Sequence, residues 1–103
     1  IQSTLPDMPM QIEAARALLY KCTRAIDAGQ LDRLTEMASM VKCFCTDTAM
    51  KVTTDAVQIL GGHGYVRGNH VERMMRDAKV LQIYEGTNQI QRMVIARRAL
   101  GLR

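Results

Sequence analysis

Apolar residues recur at three- and four-residue intervals over four stretches of the chain, and each stretch predicts a helix. From Met10 onward, Ile12, Ala15, Leu18, Leu19, Cys22 and Ile26 share one face, so a first helix is expected over about 10–28, stopping at Gly29. Both prolines, Pro6 and Pro9, precede it, and residues 1–9 are expected to be irregular or a poorly formed helix start. The short connection 29–33 predicts that the next helix runs antiparallel to the first. That second helix carries Leu34, Met37, Val41, Phe44, Ala49, Val52, Ala56 and Ile59 along one stripe, with Asp32 or Thr35 as its cap and Gly61-Gly62 as its end. At about 26 residues it runs about 40 Å, long enough to require packing partners from outside the chain. A glycine-rich loop over 61–70 leads to a third helix, about 70–82, capped by Asn69 with Val71, Met74, Met75 and Ala78 inward. After a polar break at 84–88, a fourth helix is expected over about 88–100, capped by Thr87.

Composition agrees with helices packed on helices. The 103 residues are 48% hydrophobic but only 4% aromatic, with no Trp, and no β-rich run is visible, so the fold class expected is an all-α, up-and-down bundle forming one small domain. The net charge of +4 is unevenly placed: residues 1–60 hold six basic against seven acidic residues, and residues 61–103 hold eight against three. A basic half suits an anionic ligand such as a nucleotide. Nucleic acid is disfavoured, because no recognition motif or aromatic stacking set accompanies the charge. Cys22, Cys43 and Cys45 form no metal-binding spacing and read as reduced thiols. No apolar run is long enough to span a bilayer.

The loop Gly61-Gly62-His63-Gly64 lacks the dinucleotide fingerprint, since Arg67 stands where a third glycine is needed and no strand precedes it. It reads as a helix cap and sharp turn. His63 and His70 lack the convergent partners of a metal site, so no metal is expected. Met37, Met40, Met50, Met74, Met75 and Met93 read as core filler, and Arg73, Arg76 and Lys79 as a solvated face. Glu85, in Tyr84-Glu85-Gly86-Thr87-Asn88-Gln89, is the only acidic residue after Asp77. On its residues alone it is either an exposed hinge or a proton acceptor awaiting desolvation.

Three strings in order resemble a known family: Ala56-Val-Gln-Ile-Leu-Gly-Gly-His-Gly-Tyr65, then Val71-Glu-Arg-Met-Met-Arg-Asp-Ala-Lys79, then Gln82-Ile-Tyr-Glu-Gly-Thr-Asn-Gln-Ile-Gln91. Together with the weaker Gln11–Arg16, they resemble the C-terminal helical domain of acyl-CoA dehydrogenases over most of residues 1–103. The family's N-terminal helical domain, its middle β-domain and the first long helix of the C-terminal bundle have no counterpart here. Pro6, Pro9 and Asn69-His70 depart from the family's usual pattern.

The resemblance implies an FAD-dependent enzyme that converts an acyl-CoA thioester to the trans-2-enoyl-CoA. Glu85 corresponds to the base that removes the pro-R α-proton, while the β-hydrogen leaves as hydride to the flavin. The thioester oxygen is held by this residue's own N–H and a flavin hydroxyl, and Gly86 lets the substrate pass close to the loop. Gln58, Ile59, Leu60, Gly61 and Gly62 correspond to the segment touching FAD of a neighbouring subunit. Thr87, Asn88 and Gln89 correspond to the segment touching FAD at the subunit's own site. The family further implies a homodimer or homotetramer, electron-transfer flavoprotein as acceptor, and a bacterial cytoplasm or mitochondrial matrix as location. Two alternatives stand beside this: an acyl-CoA oxidase passing electrons to oxygen, and a non-catalytic helical module that supports oligomerisation.

Overall fold

The computed structural model describes residues 1–102, and these contain helices and no strand. The helices are α1 (Thr4–Asp27), α2 (Leu34–Leu60), α3 (Gly62–Tyr65), α4 (His70–Leu81) and α5 (Asn88–Ala99). The all-α expectation and the four main helices are therefore observed. Two readings of helix extent need correction. α1 begins at Thr4, not Met10, because the first turn of a helix donates no internal hydrogen bond and Pro6 costs nothing there. Pro9 does remove one bond, to the carbonyl of Leu5, but that turn lies on the exposed surface. The loop 61–70 contains the short α3, since the chain turns at Gly61 (φ 60°, ψ −143°) and resumes helical geometry at Gly62.

The helix ends follow local chemistry with one exception. The N–H groups of Gly29 and Gln30 donate to the carbonyls of Ile26 and Ala25, closing α1. Asn69 and Thr87 cap α4 and α5 as expected, their side chains accepting from Val71 N (3.1 Å) and Ile90 N (3.3 Å). α2 is not capped by Asp32 or Thr35. Arg33 holds the cap position without a side-chain cap bond, and its guanidinium grips Glu36 through two 2.9 Å hydrogen bonds. That places a buried carboxylate in the first turn, where the helix dipole favours it.

All other helices pack on α2. α1 touches only α2, α4 and α5 each touch α2 but not one another, and α3 bridges α2 and α4. The Cys45 thiol lies 3.5 Å from the Ala15 carbonyl, the antiparallel pairing expected across the short connection. The result is elongated, 47 × 23 × 22 Å, with a radius of gyration of 16.0 Å. A compact domain of this length has a radius of about 13 Å.

Apart from Glu36, Glu72 and Asn88, the buried side chains are small. Ala15 and Cys22 on α1, Ser39, Cys43 and Thr48 on α2, and Ala78 on α4 are buried, and no large side chain is fully enclosed. Helices meet closely at these small residues, and the bulky ones lie at the margins. Phe44, Met74 and Met93, expected inward, are about half exposed, as are Leu19, Ile83 and Ile90. With the backbones of α1, α4 and α5 lying apart from one another, these faces are only partly covered within the chain.

Two measurable consequences follow from this packing. A Cβ placed on buried Gly64 would lie 2.8 Å from Leu60 Cβ and 3.0 Å from the Val57 carbonyl oxygen. Gly64→Ala is therefore expected to destabilise the turn after α2 by about 1–3 kcal/mol, seen as a lower denaturation midpoint. An unchanged midpoint would mean that the α2–α3 corner is not a constrained approach. Second, the open apolar faces are expected to drive self-association, since exposed patches of this kind mark interfaces. Sedimentation of the 103-residue chain should show species larger than a monomer, and a compact monomer at high concentration would contradict this.

Candidate active site

Residues 83–87, between Gln82, the C-cap of α4, and the start of α5, form a turn with a closed neck. Asn88 N donates to the Gln82 carbonyl at 3.0 Å, and Tyr84 N donates to Val80 at 3.1 Å. Glu85 occupies the tip with φ 54°, the only non-glycine residue of positive φ among those described. Such a conformation costs a side-chain-bearing residue about 1–2 kcal/mol. Gly86 follows with φ 87°, and the side-chain amide of Gln91 crosses so closely that a Cβ there would lie 2.8 Å from its nitrogen. The positive φ is what favours glycine here; the Gln91 amide, at the end of a flexible side chain, could move aside.

Both flanks of the turn are tied to the middle of α2. Asn88 is only 3% exposed and both polar atoms of its side chain are hydrogen-bonded. Its Oδ1 accepts from Lys42 Nζ at 2.7 Å, and its Nδ2 donates to Thr46 Oγ1 (2.8 Å) and Asp47 Oδ1 (2.7 Å). Asp47 also accepts from Gln82 Nε2 (2.8 Å) and Arg92 Nη2 (2.5 Å). One carboxylate thus holds the last residue before the turn, the first residue after it, and the next turn of α5. Burial acts to raise the Asp47 carboxyl, but the hydrogen bonds from Arg92, Asn88 and Gln82, with the charge of Arg92, outweigh it and keep the group below its ordinary value. At neutral pH Asp47 is therefore a fixed acceptor.

The Glu85 side chain lies exposed at the tip. Among the described residues, the N–H groups of Glu85, Gly86 and Thr87 donate to no partner in the chain. The arrangement presents a carboxylate and unengaged backbone donors on one tight turn. That combination suits proton abstraction from a carbon next to a carbonyl, in which negative charge develops on the carbonyl oxygen.

The other expected site residues divide into two groups. Glu85, Gly86, Thr87, Asn88 and Gln89 are together in this turn. Thr87 and Gln89 line a groove of about 410 Å³ whose wall includes the cations Lys79 and Arg92 and the carboxylate of Asp47, which pairs with Arg92. The Asn88 side chain, by contrast, is directed into α2 and has no free polar atom for a ligand. Gln58, Ile59, Leu60, Gly61 and Gly62 lie at the far end of α2, where Gln58, Gly61 and Gly62 are exposed and nothing surrounds a Cβ built on either glycine. From Lys42 to Leu60 is about 27 Å along an ideal helix, so one chain does not bring the two groups together. No cluster of metal-ligating side chains occurs among the described residues, and no helix there is long and apolar enough to cross a membrane.

Sequence reasoning missed Lys42, Asp47, Gln82 and Gln91. The one available signal was that Lys42 and Asp47 interrupt an otherwise apolar or weakly polar run, Met40–Met50, on the stripe side of a long helix.

Comparison with known proteins bears on the same residues. The family model described as acyl-CoA dehydrogenase, C-terminal domain, matches residues 1–100. Cyclohexane-1-carbonyl-CoA dehydrogenase of Geobacter metallireducens is 53% identical over 100 residues, covering 97% of this chain and 26% of that protein. The structure of butyryl-CoA dehydrogenase from Megasphaera elsdenii superposes with a TM-score of 0.89 at 49% identity, over 96% of this chain and 25% of that one. A structure described as the FAD complex of PigA superposes at 0.88 and 28% identity, over 99% of this chain and 26% of that one. The chain spans about a quarter of the length of the relatives it matches. These 103 residues belong to the acyl-CoA dehydrogenase family, as its C-terminal helical domain.

Proposed function

We propose that this chain carries the proton-abstracting base of a flavin-dependent enzyme that desaturates an acyl-CoA thioester between its α and β carbons, and that Glu85 is that base. The observation that carries the reading is the Glu85 turn: a lone carboxylate in a left-handed conformation, its own N–H unengaged, on a loop tied at both ends to α2. An α-carbon next to a thioester is a weak acid. Removing its proton requires a base within hydrogen-bond reach and donors aimed at the oxygen that becomes charged. Glu85 offers both in one residue, carboxylate and N–H. Its exposure leaves the carboxylate open to a substrate delivered from outside this chain. An acyl chain lying over it excludes water and makes it a stronger base.

Bound FAD supplies the acceptor for the β-hydrogen. Thr87 and Gln89, beside the Lys79 and Arg92 groove, fit a phosphorylated cofactor, with Asn88 holding their segment in place. Gln58, Gly61 and Gly62 fit close approach of a ligand to exposed backbone. Their separation along α2 supports two different cofactor molecules, one for each segment, and so an assembly in which neighbouring subunits complete each other's sites. The open apolar faces of α1, α2 and α5 support the same assembly.

The direct test is Glu85→Gln in the full-length enzyme that contains these residues. Glutamine keeps the shape and the backbone N–H but cannot take the proton. Anaerobic mixing with a saturated acyl-CoA should then bleach the flavin at least about 10²–10⁴-fold more slowly, with flavin still bound. Bleaching at the normal rate would place the base elsewhere and leave Glu85 an exposed hinge. A second expectation concerns the isolated 103 residues, which hold only part of each cofactor site. Gel filtration after incubation with FAD should recover a colourless protein, because a few contacts do not offset the cost of association. Stoichiometric yellow protein would contradict it.

A further inference from the structure

The neck of the Glu85 turn is held by Asp47, but its tip is held by a different residue. Lys42 Nζ donates to the Gly86 carbonyl at 2.7 Å and to Asn88 Oδ1 at 2.7 Å. The Gln91 side-chain amide donates to the Glu85 carbonyl at 3.2 Å. We infer that Lys42, through the Gly86 carbonyl, is a positioning residue that sets the direction of the Glu85 carboxylate and N–H; the inference rests on Glu85 being the base.

A left-handed, non-glycine residue beside a glycine is a conformation that a free turn leaves readily, and it persists only where the surroundings determine it. Gly86 is the most permissive residue of the turn, so its two flanking peptide planes are where the tip would relax. Lys42 fixes the plane on one side of Gly86 and Gln91 the plane on the other. Of the two, the Lys42 contact is the shorter and charge-assisted, and it comes from another helix, which α2 packing holds rigid. Gln91 sits on the helix that follows the turn and moves with it.

Nothing else in the structure accounts for an ammonium at position 42. The residue is half-buried beside Val41 and Cys43, and among the described residues it forms no ion pair. Its two recorded acceptors are a backbone carbonyl and a neutral amide oxygen, both belonging to the turn. Removing the ammonium would leave the Asp47 ties on Gln82, Asn88 and Arg92 in place, so the neck would stay closed while the tip loosened.

The experiment is Lys42→Met in the full-length flavin-loaded enzyme, with Lys51→Met, an exposed lysine two and a half turns along the same helix, as control. Methionine keeps the apolar stem and removes the donors. The expected result has three parts. The rate of anaerobic flavin bleaching per bound flavin falls, by up to about 100-fold for a misplacement near 1 Å. The dissociation constant for acyl-CoA stays unchanged. Amide hydrogen exchange accelerates in peptides covering residues 83–89 but not in those covering α2. Lys51→Met should change none of these. Loss of flavin or a lower melting temperature with a normal rate per bound flavin would reduce Lys42 to a packing role and overturn the inference. So would unchanged exchange at 83–89. If Lys42→Met does not load flavin, Lys42→Gln, which keeps a donor but shortens the reach, is read in the same way. Glu85→Gln separates the two ideas. Normal bleaching in Glu85→Gln removes the base assignment itself, whereas normal bleaching in Lys42→Met beside an inactive Glu85→Gln removes Lys42 alone.

Discussion

The buried side chain of Asn88 is the centre of the polar contacts that join α5 to α2. The backbone of α5 packs against α2 and not against α1 or α4, so its position depends chiefly on α2. At the point of contact the amide exchanges hydrogen bonds with Lys42, Thr46 and Asp47, and the Asn88 carbonyl lies 3.9 Å from the Cys43 thiol. A buried amide is tolerated only when its donors and acceptors are used, and an unpaired one costs about 1–3 kcal/mol. Here that penalty acts as a positional constraint. Moving α5 along or around α2 strands the amide, the Asp47 carboxylate and the Lys42 ammonium together.

The apolar packing alone is less specific. The residues at the centre of the helix contacts are alanine, serine, cysteine and threonine, which allow close approach but present little shape for register. The large apolar side chains lie at the edges, half open. A chain arranged this way has ready-made contact faces and only a thin core, which agrees with its spanning about a quarter of the relatives it matches. Polar contacts between α2 and the 82–92 segment therefore do part of the specifying that side-chain interdigitation performs in a thicker domain.

The same arrangement holds an exposed turn in place. An exposed turn is normally the most mobile part of a fold. Anchoring residues 82, 86, 88 and 92 to α2 removes that freedom without covering Glu85. The left-handed conformation of Glu85 is stored strain held by these ties.

The helices were legible in the sequence because their causes are local. The apolar stripes repeat within each segment, Asn69 and Thr87 cap groups two and three residues away, and Gly29 ends α1 through carbonyls in its own last turn. The break at 84–88 and the isolation of Glu85 were visible for the same reason. The prolines misled, because a missing N–H matters only where a helix needs it, and α1 begins early enough to spare Pro6. Tertiary structure alone decided which side chains are buried and what holds the turn. Lys42, Thr46 and Asp47 reach Asn88 across 41 to 46 residues, and contacts at that separation leave no periodic trace in the chain. The sequence determined that a carboxylate and a glycine would stand between two helices; only the packing of those helices on α2 decided which way they point.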